Sequence, residues 1–263
     1  MTLFLLSCSP GQTIPTAAQA PTSTPQPADT PTPSPIPFQR YGGTLLDVTY
    51  CTPDSLPQKM DVYFPEAGGP WPVLAYVHGG GWMRGDKSEA TSLARGMTAQ
   101  GYLVVSINYR LYPAAKLPDM IEDVKCAIRF LRANAGEYNL DPNRIAALGV
   151  SAGGHLVALL GTADERAGFD VGEHLEQSSR VQAVITMAPP TDLTRSFPNV
   201  NMELLKHVCS GQVNLEQASP ATYVTADDPP FLLIHGTRDT VVPYEQSQLM
   251  YDWLVQANVP AQL

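Results

Sequence analysis

The sequence predicts an α/β domain built on a mostly parallel sheet. Two observations carry this prediction. Short apolar runs rich in Val, Ile and Leu alternate with segments of helical periodicity, and the loops that follow these runs are rich in glycine or carry an acid.

The elements follow in order. Gly43 to Tyr50 and Gln58 to Phe64 read as two antiparallel strands around a Pro-containing turn. Val73 to Val77 is the next strand, and Ser88 to Gln100 a helix. Tyr102 to Asn108 is a buried, β-branched strand. Pro118 to Asn134 is a helix with Met120, Val124, Ala127, Ile128 and Leu131 on one face. Arg144 to Leu148 is a strand and Leu156 to Leu160 an apolar helical run. Val181 to Met187 and Phe231 to Ile234 are strands, Tyr244 to Ala257 is a helix, and Val259 to Leu263 starts a further strand. Asp192 to Asp228 has no clear periodicity and is a candidate pocket wall. In such a sheet, ligands bind at the carboxyl edge of the strands.

Three motifs fall at that edge. Gly149-Val150-Ser151-Ala152-Gly153 sits between a strand and a helix, the context of a nucleophile elbow. The small residues let strand and helix backbones approach, and the helix directs its positive end at the reacting carbonyl. In isolation the pattern equally describes an ordinary tight turn. His78-Gly79-Gly80-Gly81-Trp82 follows a second strand. Its candidate oxyanion donors are the N–H groups of Gly80 and Gly81, joined by that of Ala152. Trp82 either lines the acyl pocket or packs beneath the loop. Asp239, in the loop after Phe231 to Ile234, is the candidate catalytic acid, with a turn or cap aspartate as the alternative. Asp192 is the runner-up acid, otherwise a loop brace. No metal or organic cofactor is expected.

The chain contains five histidines, His78, His155, His174, His207 and His235, all before Asp239. His78 is expected to brace the glycine loop, His155 to point along the helix after the elbow, and His235 to hold the loop carrying Asp239. His174 and His207 fall in polar connecting segments. None is a convincing base, with His207 left open.

Together the motifs resemble an α/β-hydrolase of the carboxylesterase kind, close to the hormone-sensitive-lipase-like enzymes. They are most similar to the bifunctional feruloyl and acetyl-xylan esterase family. Further matching stretches are Ser106-Ile107-Asn108-Tyr109-Arg110, Asp141-Pro142-Asn143-Arg144-Ile145, Ala218-Ser219-Pro220 and Pro229-Pro230-Phe231 through Pro243. The resemblance implies an α/β-hydrolase fold with Ser151 and Asp239 as triad members and ester hydrolysis through an acyl-enzyme. The family's catalytic histidine follows one more strand, so the expectation is a domain over residues 40–263 that lacks its last strand and final helix. A prolyl-oligopeptidase-like peptidase and an inactive fold are the alternatives.

Residues 1–8 resemble the end of a bacterial lipoprotein signal, with Cys8 bearing the lipid, and residues 9–39 form a Pro/Thr-rich tether. A cell-surface or secreted location is the expectation. The net charge of −9 disfavours nucleic acid as a partner. It is awkward for a charged polysaccharide and indifferent to a neutral one. Cys51, Cys126 and Cys209 match no zinc spacing and are expected to be buried free thiols, one disulfide being the other possibility.

Overall fold

A computed structural model describes residues 42–195, 197, 199, 202–210 and 213–263. The expectations for residues 1–8 and 9–39, Cys8 included, lie outside these described residues.

Eight strands form one sheet: β1 (Thr44–Cys51), β2 (Gln58–Tyr63), β3 (Trp71–Val77), β4 (Leu103–Ile107), β5 (Leu140–Val150), β6 (Ala183–Met187), β7 (Phe231–Ile234) and β8 (Ala261–Gln262). Their order is β1-β2-β4-β3-β5-β6-β7-β8. The β1–β2 and β2–β4 pairs are antiparallel, and from β4 onward every pair is parallel. This is the α/β-hydrolase arrangement. β8 pairs with β7 through Ala261 and Gln262, where the sequence reading starts a strand.

Five α-helices accompany the sheet among the described residues: α1 (Thr91–Thr98), α2 (Leu117–Ala133), α3 (Ala152–Thr162), α4 (Met202–Cys209) and α5 (Glu245–Gln256). α2 buries Met120, Ile121, Val124, Ala127, Ile128 and Leu131, the helical stripe seen in the sequence plus Ile121. α3 is buried along its whole length, which matches its lack of a polar face. The expected helix from Ser88 instead begins as a 3₁₀ turn, Lys87–Ala90, capped by Asp86. Asp86 accepts the N–H of Ser88 and its own N–H donates to Glu89, a reciprocal box that fixes the start. α4 was not legible in the sequence. It lies inside the segment between β6 and β7, and His207 sits on it rather than in a polar connection.

The register aligns the tops of the parallel strands. Val77 pairs with Gly149, Val150 with Met187, and Met187 with Ile234. The loops after β3, β5, β6 and β7 therefore leave the sheet side by side at one level. On one face of β6 and β7, Met187, Leu232 and Ile234 remain exposed.

The cysteines correct the sequence reading. Cys51 ends β1 and Cys126 lies in α2, and packing of α2 against β1 brings their Cα atoms to 6.5 Å in a disulfide. Strand–helix packing between residues 75 apart in sequence leaves no local spacing signal. Cys209 is a buried free thiol, pushed up to about 12 by burial.

The Cys51–Cys126 bridge closes a long loop and restricts the unfolded chain. Replacing both cysteines with serine is expected to lower unfolding stability by about 2–4 kcal/mol, measured by urea titration against the oxidised parent. An unchanged midpoint would show that the bridge does not form.

Candidate active site

The elbow is built by backbone contact. Ser151 takes φ 54° and ψ −117°, a conformation that costs a non-glycine residue about 1–3 kcal/mol. Its N–H donates to the Met187 carbonyl at 2.7 Å, and its carbonyl accepts the N–H of His155 at 2.9 Å as α3 begins. A Cβ on Gly149 would stand 2.2 Å from the Gly153 carbonyl oxygen. One on Gly153 would stand 2.1 Å from that of Val77 and 2.4 Å from that of His78. The two glycines flanking Ser151 are thus dictated by how closely α3 crosses β5 and β3.

The glycine loop meets the elbow from the neighbouring strand. A Cβ on Gly79 would lie 2.9 Å from the Val150 carbonyl oxygen and 3.5 Å from Ser151 Cβ. Gly80 and Gly81 take φ of 108° and 62°, which turns this backbone over the top of β3. The Gly80 carbonyl accepts the N–H groups of Met83 and Arg84, closing the turn. The N–H groups of Gly80, Gly81 and Ala152 are donors in none of the described turn and loop hydrogen bonds, and Ala152 stands in the first turn of α3.

Each histidine has its own task. His78 stacks on Tyr109 at 4.5 Å, and its Nδ1 lies 2.8 Å from the Gly79 carbonyl, so it braces the loop. Burial lowers its pKa. His155 does not run along α3. Its Nε2 donates to the Ala218 carbonyl at 2.7 Å and its ring meets Trp82 edge-on at 5.3 Å, with burial holding its pKa down at about 4. His235 is locked between Ser247 Oγ at 2.7 Å and the Val242 carbonyl at 2.9 Å. Because a carbonyl only accepts, Nε2 carries a proton. His174 packs against Phe130, and His207 is exposed with Nδ1 on the Glu203 carbonyl of its own helix. None of the described hydrogen bonds joins a histidine ring to the Ser151 hydroxyl.

Asp239 follows β7. Its Oδ1 accepts the N–H groups of Val241 at 2.8 Å and Val242 at 3.0 Å, and its Oδ2 is 3.8 Å from His235 Nε2. Asp192 is absorbed by its own loop, accepting from Thr194 and pairing with Arg195 at 2.9 Å. Gln246 ties that loop to α5 through the N–H groups of Thr191 and Asp192.

Ser151 opens onto a cavity of about 360 Å³. The glycine loop contributes Gly81, Trp82, Met83 and Arg84 to its wall; the loops after β6 and β7 contribute Pro190, Val241 and Val242. The segment between β6 and β7 adds Phe197, Asn199, Leu204, Leu205 and Val208. Trp82 therefore both lines the cavity and packs on His155. Leu204, Leu205 and Val208 lie in the 192–228 segment expected as a pocket wall, but their helical spacing is too short to have marked α4 in the sequence. Asp239 itself is not on the cavity wall, although Val241 and Val242, which it holds, are. No group of His, Cys, Asp and Glu able to hold a metal occurs among the described residues.

The BD-FAE family model matches residues 60–254. The chain belongs to the BD-FAE family. All the elements just described, from β2 to α5, fall almost wholly within the matched span. Among curated proteins, a probable carboxylic ester hydrolase, LipM of Mycobacterium tuberculosis, is 36% identical over 72% of this chain and 46% of its own length. Esterase LipQ of the same organism is 32% identical over 89% of this chain and 58% of its own. The BD-FAE chain thus spans about half the length of the curated relatives it matches. Among solved structures, a truncated form of a carbohydrate esterase from gut microbiota is similar, with a TM-score of 0.74 and 29% identity, covering 84% of this chain and 86% of that one. Apo esterase 2 of Thermogutta terrifontis has the same TM-score of 0.74 at 26% identity, covering 88% and 84%.

Two glycines separate the packing argument from glycine's intrinsic cost. Gly153→Ala drives a Cβ into two backbone carbonyls and is expected to destabilise by more than about 3 kcal/mol. Gly96→Ala, in α1 with open space around it, is expected to stabilise by about 0.5–1 kcal/mol. Thermal or urea unfolding of both variants checks this, and a Gly153→Ala protein as stable as the parent would contradict the elbow geometry.

Proposed function

We propose that this protein is a serine-dependent carboxylic ester hydrolase acting on short or aromatic acyl esters, feruloyl and acetyl esters of plant polysaccharide included. The observation that carries the reading is the pairing of Val77 with Gly149, which presents the Gly79–Gly81 backbone to Ser151 at the top of adjacent strands. Ser151 Oγ attacks the ester carbonyl and the alcohol leaves, giving an acyl-enzyme that water then cleaves. The N–H groups of Gly80, Gly81 and Ala152 stabilise the oxyanion of each tetrahedral intermediate. An imidazole takes the Ser151 proton and returns it to the leaving alcohol, and Asp239 orients that imidazole. None of the five histidines holds this position, since each is committed as described above.

The cavity supports the substrate class. At about 360 Å³ with a largely apolar wall, it accommodates an acetyl or phenylpropenoyl group more readily than a long acyl chain. The similarity to a carbohydrate esterase and to carboxylic ester hydrolases points the same way. The Cys51–Cys126 bridge favours an oxidising compartment, in keeping with an extracytoplasmic enzyme. No helix among the described residues is long and apolar enough to cross a membrane.

Chemical rescue tests the reading. Without added base, residues 1–263 are expected to hydrolyse 4-nitrophenyl acetate near background, because a serine without its base loses up to about 10⁶ in turnover. Imidazole in the buffer is expected to restore a rate about 10²-fold above that of Ser151→Ala in the same buffer, with a long-chain ester rescued less. Equal rates for parent and Ser151→Ala at every imidazole concentration would overturn the reading. Strong Ser151-dependent turnover without imidazole would instead assign the base to one of the five histidines, His207 first.

A further inference from the structure

Among the described residues one charged side chain lines the cavity at Ser151, and it is Arg84. The other described side chains of the wall are apolar apart from Ser151, Asn199 and Trp82, whose indole N–H is buried. Asn199 is itself occupied, its Nδ2 donating to the Thr240 carbonyl. Arg84 is exposed, and among the described residues no hydrogen bond or ion pair engages its guanidinium. Arg110, Arg129 and Arg144 are tied down by Asp123, Asp170 and Asp141; Arg95 and Arg238 are unengaged like Arg84 but do not line this cavity.

The stem of Arg84 has a defined place. Its Cγ lies 3.1 Å from where a Cβ on Gly80 would stand, and its backbone N–H donates to the Gly80 carbonyl at 3.2 Å. The guanidinium thus extends from directly beside the candidate oxyanion loop. A planar, permanently charged group with free donors beside an apolar wall favours a carboxylate, which it can hold through two parallel hydrogen bonds. The setting sharpens this preference. The chain carries a net charge of −9, so an anionic substrate meets general repulsion, while this cavity offers it a cation and no acid on its wall.

Resting on the ester-hydrolase reading, we propose that Arg84 is the specificity-determining residue of this cavity. The substrate it selects is an ester bearing a carboxylate on the acyl or the alcohol side, within one arginine's reach of the scissile carbonyl. The acyl-side source is a hemi-ester of a dicarboxylic acid. The alcohol-side source is an ester whose alcohol carries an acid group, as a uronic acid does. The expectation from net charge, that a charged polysaccharide is awkward, is thereby reversed at the site itself.

Non-hydrolysed amide isosteres test this without requiring turnover. N-phenylsuccinamate and neutral N-phenylbutyramide probe the acyl side; 4-acetamidobenzoate and neutral acetanilide probe the alcohol side. Dissociation constants are measured by calorimetry on the parent chain, Arg84→Gln and Arg84→Lys, at low and high salt. The anionic member of one pair is expected to bind at least about tenfold tighter than its neutral partner. That ratio should fall to near one in Arg84→Gln, persist in part in Arg84→Lys, and shrink with salt. The pair that responds identifies which side carries the acid. Equal binding within both pairs, or an unchanged ratio in Arg84→Gln, overturns the proposal. Equal weakening of anionic and neutral ligands also overturns it, placing Arg84 as a general electrostatic support of the oxyanion loop. An altered unfolding midpoint in Arg84→Gln transfers the decision to Arg84→Lys. The binding result stands apart from chemical rescue: selective carboxylate binding with failed rescue removes the ester reading and leaves the anion site.

Discussion

The site depends on a close approach of backbones at the tops of β3 and β5. Gly153 touches the Val77 and His78 carbonyls, Gly149 touches Gly153, and Gly79 lies against Val150 and Ser151. No side chain fits in these gaps, so the contacts fix three segments relative to one another without relying on rotamers. The strained backbone at Ser151 is held by the same contacts, together with the hydrogen bond to Met187 from the next strand. Local strain of this kind persists only where its surroundings over-determine it, and here they do so from both neighbouring strands.

Around this fixed centre the rest of the pocket is fastened by buried polar side chains. His155 reaches from the elbow helix to Ala218, Gln246 from α5 to Thr191 and Asp192, and His235 to Val242. Each fastens a connecting loop to a helix or strand of the core. Inside a low-dielectric core such bonds are costly to break singly, which gives an irregular wall the definition that regular structure would otherwise supply. Three of the histidines, His78, His155 and His235, thus serve to hold the pocket loops in place.

Much of the sheet was readable from the sequence, because its strands are short apolar runs bounded by glycine and proline; Phe231 to Ile234 matched to the residue. The elbow and glycine loop were readable for the same reason that they are rigid, since backbone contact admits glycine alone. What escaped reading depends on tertiary packing. α4 is a short amphipathic helix of about two turns in a polar context. The Cys51–Cys126 pair exists only once α2 lies on β1. The role of His155 follows from a partner 63 residues away. Arg84 carries no signal in sequence at all; its interest lies in being the one charge among the described residues of a largely apolar wall.

The central claim is that the backbone N–H groups of Gly80, Gly81 and Ala152 converge on one point beside Ser151 Oγ. Its most direct test is a crystal structure of the chain with Ser151 trapped by a small phosphonate ester, with imidazole supplied during labelling. The account predicts a tetrahedral adduct on Ser151 whose phosphoryl oxygen lies about 2.7–3.1 Å from these three nitrogens. An adduct whose oxygen points away from them, or one formed on another residue, would contradict it.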